Sequence, residues 1–562
     1  MLRSLTGSGE LGPSPLLRRC ALSALILGVS ARLLLVWRDL PYYQVDENDI
    51  VEQAYVFLSG DGCPRFFSYG PLVSYVLAGL YALAGSVLGT QRSDLLYDAL
   101  FEPTPFYATA RVLHAVADVA AVAVAAGLAG RSGGAAARWA VLSLGAAPLL
   151  SLNSDFAIRN DTFLGLFTLL AVGLAGRPRS ALLTGAAAGC ALAVKPLQAL
   201  LVMPALVVGV AWASRSVPGS RGTGAVGTSL RAVGALLVAV VVTHGVLNPC
   251  SVSSFGELWR DNAFWVGNES PFAEPGWRFA WWLQLAGLPL TVFGGLSIVL
   301  GAAVTRDRTT RLALLYVMTV VGVYLLVGVR PYWYNAVLPS LLLPAGALAV
   351  RIAASLPRAR GRRTADVAVV LGLLLTAWPL AAATRAAWQA WLPSPSLERR
   401  ADRAAQLWIE ERLPTGSHLL VVGRYAQGMP RLVAETPKVH GEWADLYMYG
   451  RGSSREWMDA FKTAYRRHRH GGAPLYWITN VRREYTDQWS EPVVSERMHD
   501  ALPDLARQAG ARYVVTGSTT RFTGRWEKGP EVRLLATFTP ERGSHLDAEI
   551  KVFELLPERS GS

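Results

Sequence analysis

"RAVGALLVAVVVTHGVLN", residues 231–248, carries a single charged side chain, Arg231, at its first position. A helix of about 20 such apolar residues crosses the roughly 30 Å hydrocarbon core of a bilayer. Comparable apolar blocks lie near residues 19–38, 106–129, 136–152, 162–176, 181–194, 197–214, 279–303, 310–329, 334–351 and 364–384. The sequence therefore predicts a polytopic α-helical membrane protein with about 11–12 transmembrane helices.

The composition supports a membrane protein and argues against nucleic acid as a partner. Of the 562 residues, 52% are hydrophobic and 17% are charged, whereas soluble domains carry about 25% charged residues. The net charge of +13 fits arginines that are gathered in cytoplasmic loops of a membrane protein. We therefore expect the lipid bilayer, and no nucleic acid, among the partners.

The distribution of arginine predicts the orientation in the membrane. Alternate short loops contain arginine clusters: Arg131 and Arg138; Arg177 and Arg179; Arg215, Arg221 and Arg231; Arg306, Arg308 and Arg311; Arg351, Arg358, Arg360, Arg362 and Arg363. The positive-inside bias places these loops in the cytoplasm and the opposite loops outside it. Residues 1–18 are then a cytoplasmic N-terminus and residues 39–105 form the first outer loop of a multi-pass protein of the plasma (inner) membrane.

The apolar segment 71–89 does not fit this alternation as a further span, because every later loop would then change sides. We predict that it lies along or dips into the outer leaflet, where surrounding protein can cover its backbone. A true membrane span is the alternative.

Residues 395–562 predict a separate extracytoplasmic α/β domain, which follows a transmembrane domain of residues 19–390. Helix-like stretches such as 497–509 alternate with short apolar runs that are typical of strands. These runs are "HLLVV", "LYWIT", "RYVVT", "RLLATF" and "IKVFEL".

Charged residues that are distant in sequence share the predicted outer side: Asp46, Glu47 and Asp49 in "VDENDIVEQA", Asp155, Arg159 and Asp161 in "SDFAIRND", Lys195 in "LAVKPLQ", and Arg330 in "GVRPYWYN". Ionisable groups at helix ends near lipid are costly unless they are paired or functional. A carboxylate can act as general base on an acceptor hydroxyl or amine, and cations can stabilise a phosphate leaving group. The set therefore favours sugar transfer from a lipid phosphate, although any single member could be a solvated loop residue.

Several stretches resemble, in their order and membrane placement, the GT-C superfamily of polyprenyl-phosphate-dependent glycosyltransferases, and within it the protein O-mannosyltransferases and lipid A aminoarabinose transferases. They are "VDENDIVEQA", "GDGCPRFFSYGPLVSYVLA", "RVLHAVADVAAVAVA", "NSDFAIRNDTFLGLFTLLAV", "GCALAVKPLQALLVMPALV", "LNPCSVSSFGELWRDN" and "GVRPYWYNAVLPSLLLPAGAL". The resemblance implies a membrane glycosyltransferase of GT-C type that takes a polyprenyl-phosphate-linked sugar. It also implies an active site on the extracytoplasmic face.

The resemblance also implies roles for particular acids. The family's first-loop aspartate corresponds to Asp46 or Glu47, so Asp46 is interpreted as the general base and Glu47 as its assistant. Asp49 and Asp161 are interpreted as substrate-orienting residues. The stretch "YQVDEND" departs from the simpler acid pair of many relatives, so the choice of base and the acceptor, whether protein, lipid or glycan, stay open.

Three cations, Arg159, Lys195 and Arg330, are interpreted as the residues that stabilise the phosphate of the donor. Arg159 begins an "R-x-D" element, Lys195 matches the cation near the sixth span, and Arg330 lies in a distal outer loop. The family's "PPL" element is "GPL", residues 70–72, in this sequence.

Two further features leave alternatives open. We expect no cofactor, but the oxygen ligands of "DEND" would also suit a divalent metal such as Mg²⁺ or Mn²⁺. Cys63 and Cys250 fall in predicted outer loops, where a disulfide would pin the acidic loop, and two free thiols are the alternative.

Two other functions compete with the enzyme hypothesis. A transporter or flippase of lipid-linked sugars is expected to show internal repeats and polar groups on broken helices near the midplane of the bilayer. Here the charges lie at helix ends and no repeat is visible in the sequence. A non-catalytic scaffold is the second competitor.

Overall fold

The computed structural model describes residues 15–36, 45–60, 62–63, 70–91, 95, 104–151, 158–216, 223–254, 256, 295–300, 307–327, 336–355, 401–414, 417–422, 476–481, 502–508, 510–518, 525–539 and 549–557. The chain divides into two compact units, one of residues 1–51, 62–77 and 107–392, the other of residues 52–61, 78–106 and 393–562. The predicted span 364–384 and most of 279–303 lie outside the described residues. The number of transmembrane helices and the predicted domain bounds therefore stay predictions.

The described part of the chain before residue 400 is helical wherever the sequence predicts a span. The helices are α1 (Pro15–Val36), α2 (Val45–Ser59), α3 (Leu72–Leu88), α4 (Thr104–Ser151), α5 (Asn160–Ala175), α6 (Ala181–Val194), α7 (Pro196–Leu200), α8 (Met203–Arg215), α9 (Thr223–Leu247), α10 (Cys250–Ser253), α11 (Arg308–Val327) and α12 (Leu338–Ser355). Three stretches are long and apolar enough to cross a bilayer by length and composition: Thr104–Gly145, Pro196–Arg215 and Ala225–Leu247. These apolar helices identify an integral membrane protein.

Helix α4 contains two of the predicted spans, because the chain turns within it at Gly134. Gly134 has φ 73° and ψ −168°, a backbone conformation that favours glycine. A β-carbon on Gly145 would lie 2.6 Å from Val122 Cγ1, and one on Gly130 would lie 2.7 Å from Arg138 Nε. These approaches show that the segments before and after Gly134 pack against each other as an antiparallel pair.

Helices α6 and α9 pack closely through Gly185 and Gly189, which are spaced as in the small-residue motif of membrane helices. A β-carbon on Gly185 would lie 2.5 Å from Leu236 O, and one on Gly189 would lie 2.6 Å from Thr243 Cβ. Contacts therefore advance along both helices in the same direction. The two helices run parallel, and their C-terminal ends lie at the same end of the bundle.

The arginine-bearing ends of three helices also meet. A β-carbon on Gly209 of α8 would lie 2.9 Å from Ala175 Cβ of α5 and 2.7 Å from Leu312 Cδ1 of α11. Arg308 Cζ lies 4.7 Å from the centre of the Trp212 ring. The structure thus gathers arginine-rich segments at one end of the bundle, as the alternating loops predict; which side of the membrane they face stays a prediction.

The segment predicted to lie along the outer leaflet is helix α3. Its 17 residues extend for about 25 Å at 1.5 Å per residue, which is shorter than a typical hydrocarbon core. Leu83, Val87 and Leu88 are largely exposed, so one surface of α3 suits a lipid environment. Its orientation relative to the membrane stays a prediction.

The C-terminal part of the second unit contains a five-stranded sheet, and all five strand-like runs predicted from the sequence are strands. Its elements are α13 (Ala401–Arg412), β1 (Ser417–Val422), β2 (Tyr476–Val481), α14 (Leu502–Gln508), β3 (Tyr513–Ser518), β4 (Val532–Phe538) and β5 (Glu549–Leu555). The strand order is β2-β1-β3-β5-β4. Strand β1 pairs in parallel with β2 and β3, whereas β5 pairs antiparallel with β3 and β4.

Strand β1 is covered on both faces: its neighbouring residues Leu419 and Leu420 are both fully buried and point to opposite sides of the sheet. Leu419 packs in a cluster with Ala405 and Ile409 of α13, while Leu420 packs in a second cluster with Ala506 of α14. Continuous apolar strands are expected where helices cover both faces of a sheet. The prediction of a small α/β domain is confirmed for these residues.

We expect Gly189→Leu to destabilise the protein, because the added side chain meets Thr243 and the backbone of α9. Overpacking of this kind costs about 1–3 kcal/mol, and Gly189→Leu should lower the melting temperature in detergent. Gly234→Leu is the matched control, since a β-carbon there has nothing within 4 Å. Equal melting temperatures for the two variants would contradict close α6–α9 packing.

Candidate functional site

Lys195 lies at the break between α6 and α7. The residue before a proline is disfavoured in the α conformation, and Lys195, which precedes Pro196, is extended with φ −153° and ψ 90°. Its backbone N–H still donates to Ala191 O at 3.0 Å. Helix α6 therefore ends at Val194, and the Lys195 side chain points into the protein, with 7% of the residue exposed.

Lys195 forms a buried ion pair with Asp161. Lys195 Nζ lies 3.0 Å from Asp161 Oδ1, and the two side chains are 8% and 5% exposed. Asp161 lies in the first turn of α5, where the helix dipole also favours a carboxylate. Arg159, the N-cap residue of α5, is buried as well. The predicted "R-x-D" element and the predicted lysine thus lie together, and the partner of Asp161 is Lys195.

The "GPL" element, residues 70–72, contacts the C-terminal end of α6, next to Lys195. The backbone N–H of Gly70 donates to Val194 O at 2.8 Å, and Asn160 Nδ2 donates to the same carbonyl at 3.4 Å. A β-carbon on Gly70 would lie 2.0 Å from Ala193 O, so only glycine fits here. This close approach accounts for the glycine at position 70. Three stretches that are distant in sequence therefore meet at the end of α6.

The predicted acidic loop is helical where the structure describes it. Asp46, Glu47 and Asp49 lie in the first turns of α2; acidic residues stabilise that end of a helix. Ser74 Oγ donates to Ile50 O at 2.8 Å. Ile50 is one turn after Asp46 and Ser74 is one turn after Gly70, so this hydrogen bond links the acidic turn of α2 to the Gly70 segment. The side chains of the three acids lie outside the described part of the structure.

Cys63 and Cys250 form a disulfide, with their Cα atoms 5.6 Å apart. It ties the segment between α2 and α3 to α10, directly after α9. Because α6 and α9 run parallel, this covalent link lies at the same end of the bundle as Lys195. Cys190 is a free cysteine.

Arg330 and Asp155, which the sequence places on the outer side, lie outside the described residues. Among the side chains that the structure describes, no group of three or more His, Cys, Asp and Glu residues could hold a metal ion. The side chains of "DEND" are not among them, so a divalent metal there stays a hypothesis. The roles of all the predicted site residues likewise stay predictions.

Sequence reasoning missed a second buried polar cluster, between α1 and α4. Arg32 Nε donates to Asp118 Oδ2 at 2.9 Å, and Arg111 Nη1 donates to Val36 O at 3.2 Å. The His114 ring packs edge-on against Phe163, with 5.0 Å between centroids. Arg111, His114 and Asp118 are spaced i, i+3 and i+7, which places them on one helical face. That spacing within "RVLHAVAD" is the signal that could have revealed the cluster.

The chain is similar to solved structures of GT-C proteins. One is ArnT from Cupriavidus metallidurans bound to undecaprenyl phosphate, with 15% identity over 95% of this chain and 97% of that chain, and a TM-score of 0.47. The apo state of the same ArnT gives 15% identity and a TM-score of 0.48. The Archaeoglobus fulgidus oligosaccharyltransferase in complex with zinc and sulfate gives 12% identity over 89% of this chain and 68% of that chain, and a TM-score of 0.45.

These proteins are members of the superfamily that the sequence motifs resemble. All three TM-scores are below 0.5. No protein-family model matches the sequence, and no curated protein matches it.

We expect Lys195→Met to destabilise the protein strongly, because it leaves the buried Asp161 without its cation. Breaking a buried ion pair costs about 3–5 kcal/mol, whereas the double variant Lys195→Met/Asp161→Asn removes both charges and should recover most of that loss. Unfolding in detergent measures the coupling between the two substitutions. As a control, Asp504→Asn breaks an exposed pair with Arg507 and should cost at most about 1 kcal/mol. Additive effects of the two buried substitutions would contradict the pairing.

We expect Cys250→Ser to lower the free energy of unfolding by about 2–4 kcal/mol, because the disulfide restrains the unfolded chain. Cys190→Ser is the control, since Cys190 forms no disulfide. Denatured wild type should take up two more maleimide labels after reduction than before it. Equal labelling with and without reductant would show that the bond is absent from the native protein.

Proposed function

We propose that the protein is a membrane glycosyltransferase that moves a sugar from a polyprenyl phosphate to an acceptor on the extracytoplasmic face. The observation that carries this proposal is the convergence at the end of α6, where "GPL", "RND" and "VKP" meet around a buried Lys195–Asp161 pair. Buried ionisable groups at the end of a membrane helix are costly to maintain. Their cost is understandable if they bind a charged substrate at this place.

In the proposed reaction, the acceptor oxygen or nitrogen attacks the anomeric carbon of the sugar while the bond from that carbon to the phosphate oxygen breaks. Asp46 takes the acceptor proton, with Glu47 assisting and Asp49 orienting the acceptor or sugar. The electron pair of the broken bond leaves with the lipid phosphate, and the configuration at the anomeric carbon is inverted.

Cations provide the second half of the proposed mechanism. Negative charge grows on the phosphate as the sugar leaves, and fixed positive groups lower the barrier by stabilising that charge. Lys195 and Arg159 occupy neighbouring buried positions, and Arg330 is proposed as a third cation. Asp161 holds the Lys195 ammonium at 3.0 Å, which keeps the lysine oriented before the donor arrives.

The proposed outer location has support from the disulfide. Disulfides persist in oxidising compartments and are rare in the cytosol, and Cys63–Cys250 lies at the Lys195 end of the bundle. The arginine-rich ends of α5, α8 and α11 lie together at the other end, in agreement with the positive-inside bias. A polyprenyl phosphate, the kind of lipid bound in the Cupriavidus ArnT structure, is the carrier that we propose.

We expect Asp46→Asn to reduce sugar transfer by at least about 100-fold, because a general base contributes about 10²–10⁴-fold. The assay uses proteoliposomes with a panel of radiolabelled polyprenyl-phosphate sugars and envelope extract as the source of acceptor. Glu52→Gln, on the same helix, is the matched control and should retain wild-type turnover.

Three other results would change the assignment. Transfer that survives in Asp46→Asn but is lost in Glu47→Gln would move the base to Glu47. Transfer that survives in both variants would exclude Asp46 and Glu47 as the base and move the assignment to Asp49 of α2. Labelled lipid that crosses the bilayer without any transfer would favour the transporter hypothesis.

A further inference from the structure

Two buried carboxamide side chains, Gln198 and Asn248, lie at the Lys195 end of the bundle and have no role in the mechanism above. Gln198 is 4% exposed and Asn248 is 1% exposed. In the described part of the structure, neither the amide nitrogen nor the amide oxygen of either side chain has a hydrogen-bond partner. The great majority of buried polar side-chain atoms in proteins are hydrogen-bonded, so two carboxamides without a partner on either atom call for an explanation.

Gln198 belongs to the same turn as Lys195. It lies three residues after the lysine on α7, and the N–H of Ala199 donates to Lys195 O at 3.0 Å. Residues three apart on a helical turn are neighbours on its surface. The Gln198 amide is therefore close to the residues that would hold the phosphate.

Asn248 is placed by the packing of α6 and α9. A β-carbon on Gly185 would lie 2.6 Å from Ala239 Cβ, and one on Gly189 would lie 2.6 Å from Thr243 Cβ. Contacts thus advance by four residues on each helix, so the end of α9 lies level with Val194 and Lys195. The Asn248 N–H donates to His244 O at 2.7 Å, which fixes its backbone at the end of the helix. Two residues further on, Cys250 forms the disulfide with Cys63.

The donors and acceptors of the two amides indicate which chemical group they can bind. Each carboxamide offers two donors and one acceptor oxygen, and the acceptor needs a ligand that carries hydrogen. A phosphate ester in its ionised form supplies acceptors alone, and the cations at this site already suit it. A hydroxyl group both donates and accepts, so neighbouring hydroxyls of a sugar satisfy both atoms of an amide.

We propose that Gln198 and Asn248 form a hydroxyl-binding site for the sugar of the donor. The inference rests on the proposed function and extends it by naming the residues that select the sugar. Lys195 and Arg159 bind the charged part of the donor, while the two neutral amides bind its hydroxyl groups.

The test compares Gln198→Met and Asn248→Leu with wild type on donors that lack one hydroxyl each. The accepted polyprenyl-phosphate sugar is identified first, and its single-deoxy analogues are then assayed for kcat/KM. Loss of a hydrogen bond to a buried group should lower kcat/KM for the intact donor by about 10- to 100-fold. For one deoxy analogue, Gln198→Met and wild type should be equally fast, because the missing hydroxyl is the one that Gln198 binds.

Thr184→Val is the matched control. Thr184 is fully buried on α6 and its hydroxyl likewise lacks a hydrogen-bond partner among the described residues, but it lies about 16 Å along the helix from Lys195. This variant should use every donor as wild type does.

Stability gives a second readout that is independent of turnover. Replacing an unsatisfied buried amide by an apolar side chain of similar shape removes its desolvation cost. Gln198→Met should therefore raise the melting temperature of the unliganded protein by about 2–4 °C while lowering activity. A lower melting temperature would show that the amide supports the fold, and would overturn the inference.

The remaining outcomes separate the two proposals. If wild type transfers sugar and Gln198→Met and Asn248→Leu lose the same factor on every donor, or lose nothing, the hydroxyl-binding site is refuted and the glycosyltransferase stands. If wild type transfers no sugar from any donor of the panel, the proposed function fails and this inference fails with it.

Discussion

The dipeptide Lys195–Pro196 is the constraint on which the candidate site depends. Proline has no N–H and restricts the residue before it, so α6 cannot continue and its last carbonyls lose their helical partners. Val194 O is instead satisfied by Gly70 N–H and by Asn160 Nδ2. The end of one helix thus becomes the place where the segment before α3 and the start of α5 are both held. The same break turns the Lys195 side chain toward Asp161.

Small residues make that arrangement rigid. A membrane offers little hydrophobic drive for helices to associate, so close packing and polar contacts stabilise the bundle. Gly185 and Gly189 let α6 and α9 approach to backbone contact, and Gly70 lets its own segment reach the carbonyl of Ala193. The Cys63–Cys250 bond then closes a covalent link between the segment after α2 and the end of α9. The positions of Asn248, Gly70 and Lys195 are consequently tied to one another by packing rather than by sequence proximity.

The helices and strands were predictable from the sequence, because they follow from the length and spacing of apolar runs. The contacts between residues that are distant in sequence were not. Apolar blocks predict the helices because lipid or protein must cover each one. Short apolar runs such as "RLLATF" predict strands such as β4. The helix at Asp46 was missed because four acids in seven residues obscure the buried positions Ile50, Val51 and Ala54.

The details of the site were harder to predict for a different reason. The Lys195–Asp161 pair joins residues that are 34 positions apart, and nothing local in either segment specifies the partner. Gln198 and Asn248 lie at the ends of the predicted spans 197–214 and 231–248, where an amide could equally face water. Only the packing of α6 against α9 and the turn at Pro196 show that both are buried.

Charge and hydrogen bonding divide the site into two parts with different energetic origins. The lysine is tolerated in the bundle because Asp161 compensates its charge, and removing either partner alone would leave a buried ion. The amides of Gln198 and Asn248 carry no charge, and no hydrogen-bond partner among the described residues compensates for their burial. Their desolvation is therefore a cost to the stability of the unliganded protein. A ligand with an anionic group and several hydroxyls would satisfy both parts of the site. Its anionic group would accept hydrogen bonds from the cations, and its hydroxyls would donate hydrogen bonds to the amide oxygens. A purely ionic ligand would leave the amides unsatisfied, and a neutral sugar would leave the cations without a new partner. The site that we propose would therefore discriminate in favour of a sugar phosphate over either component alone.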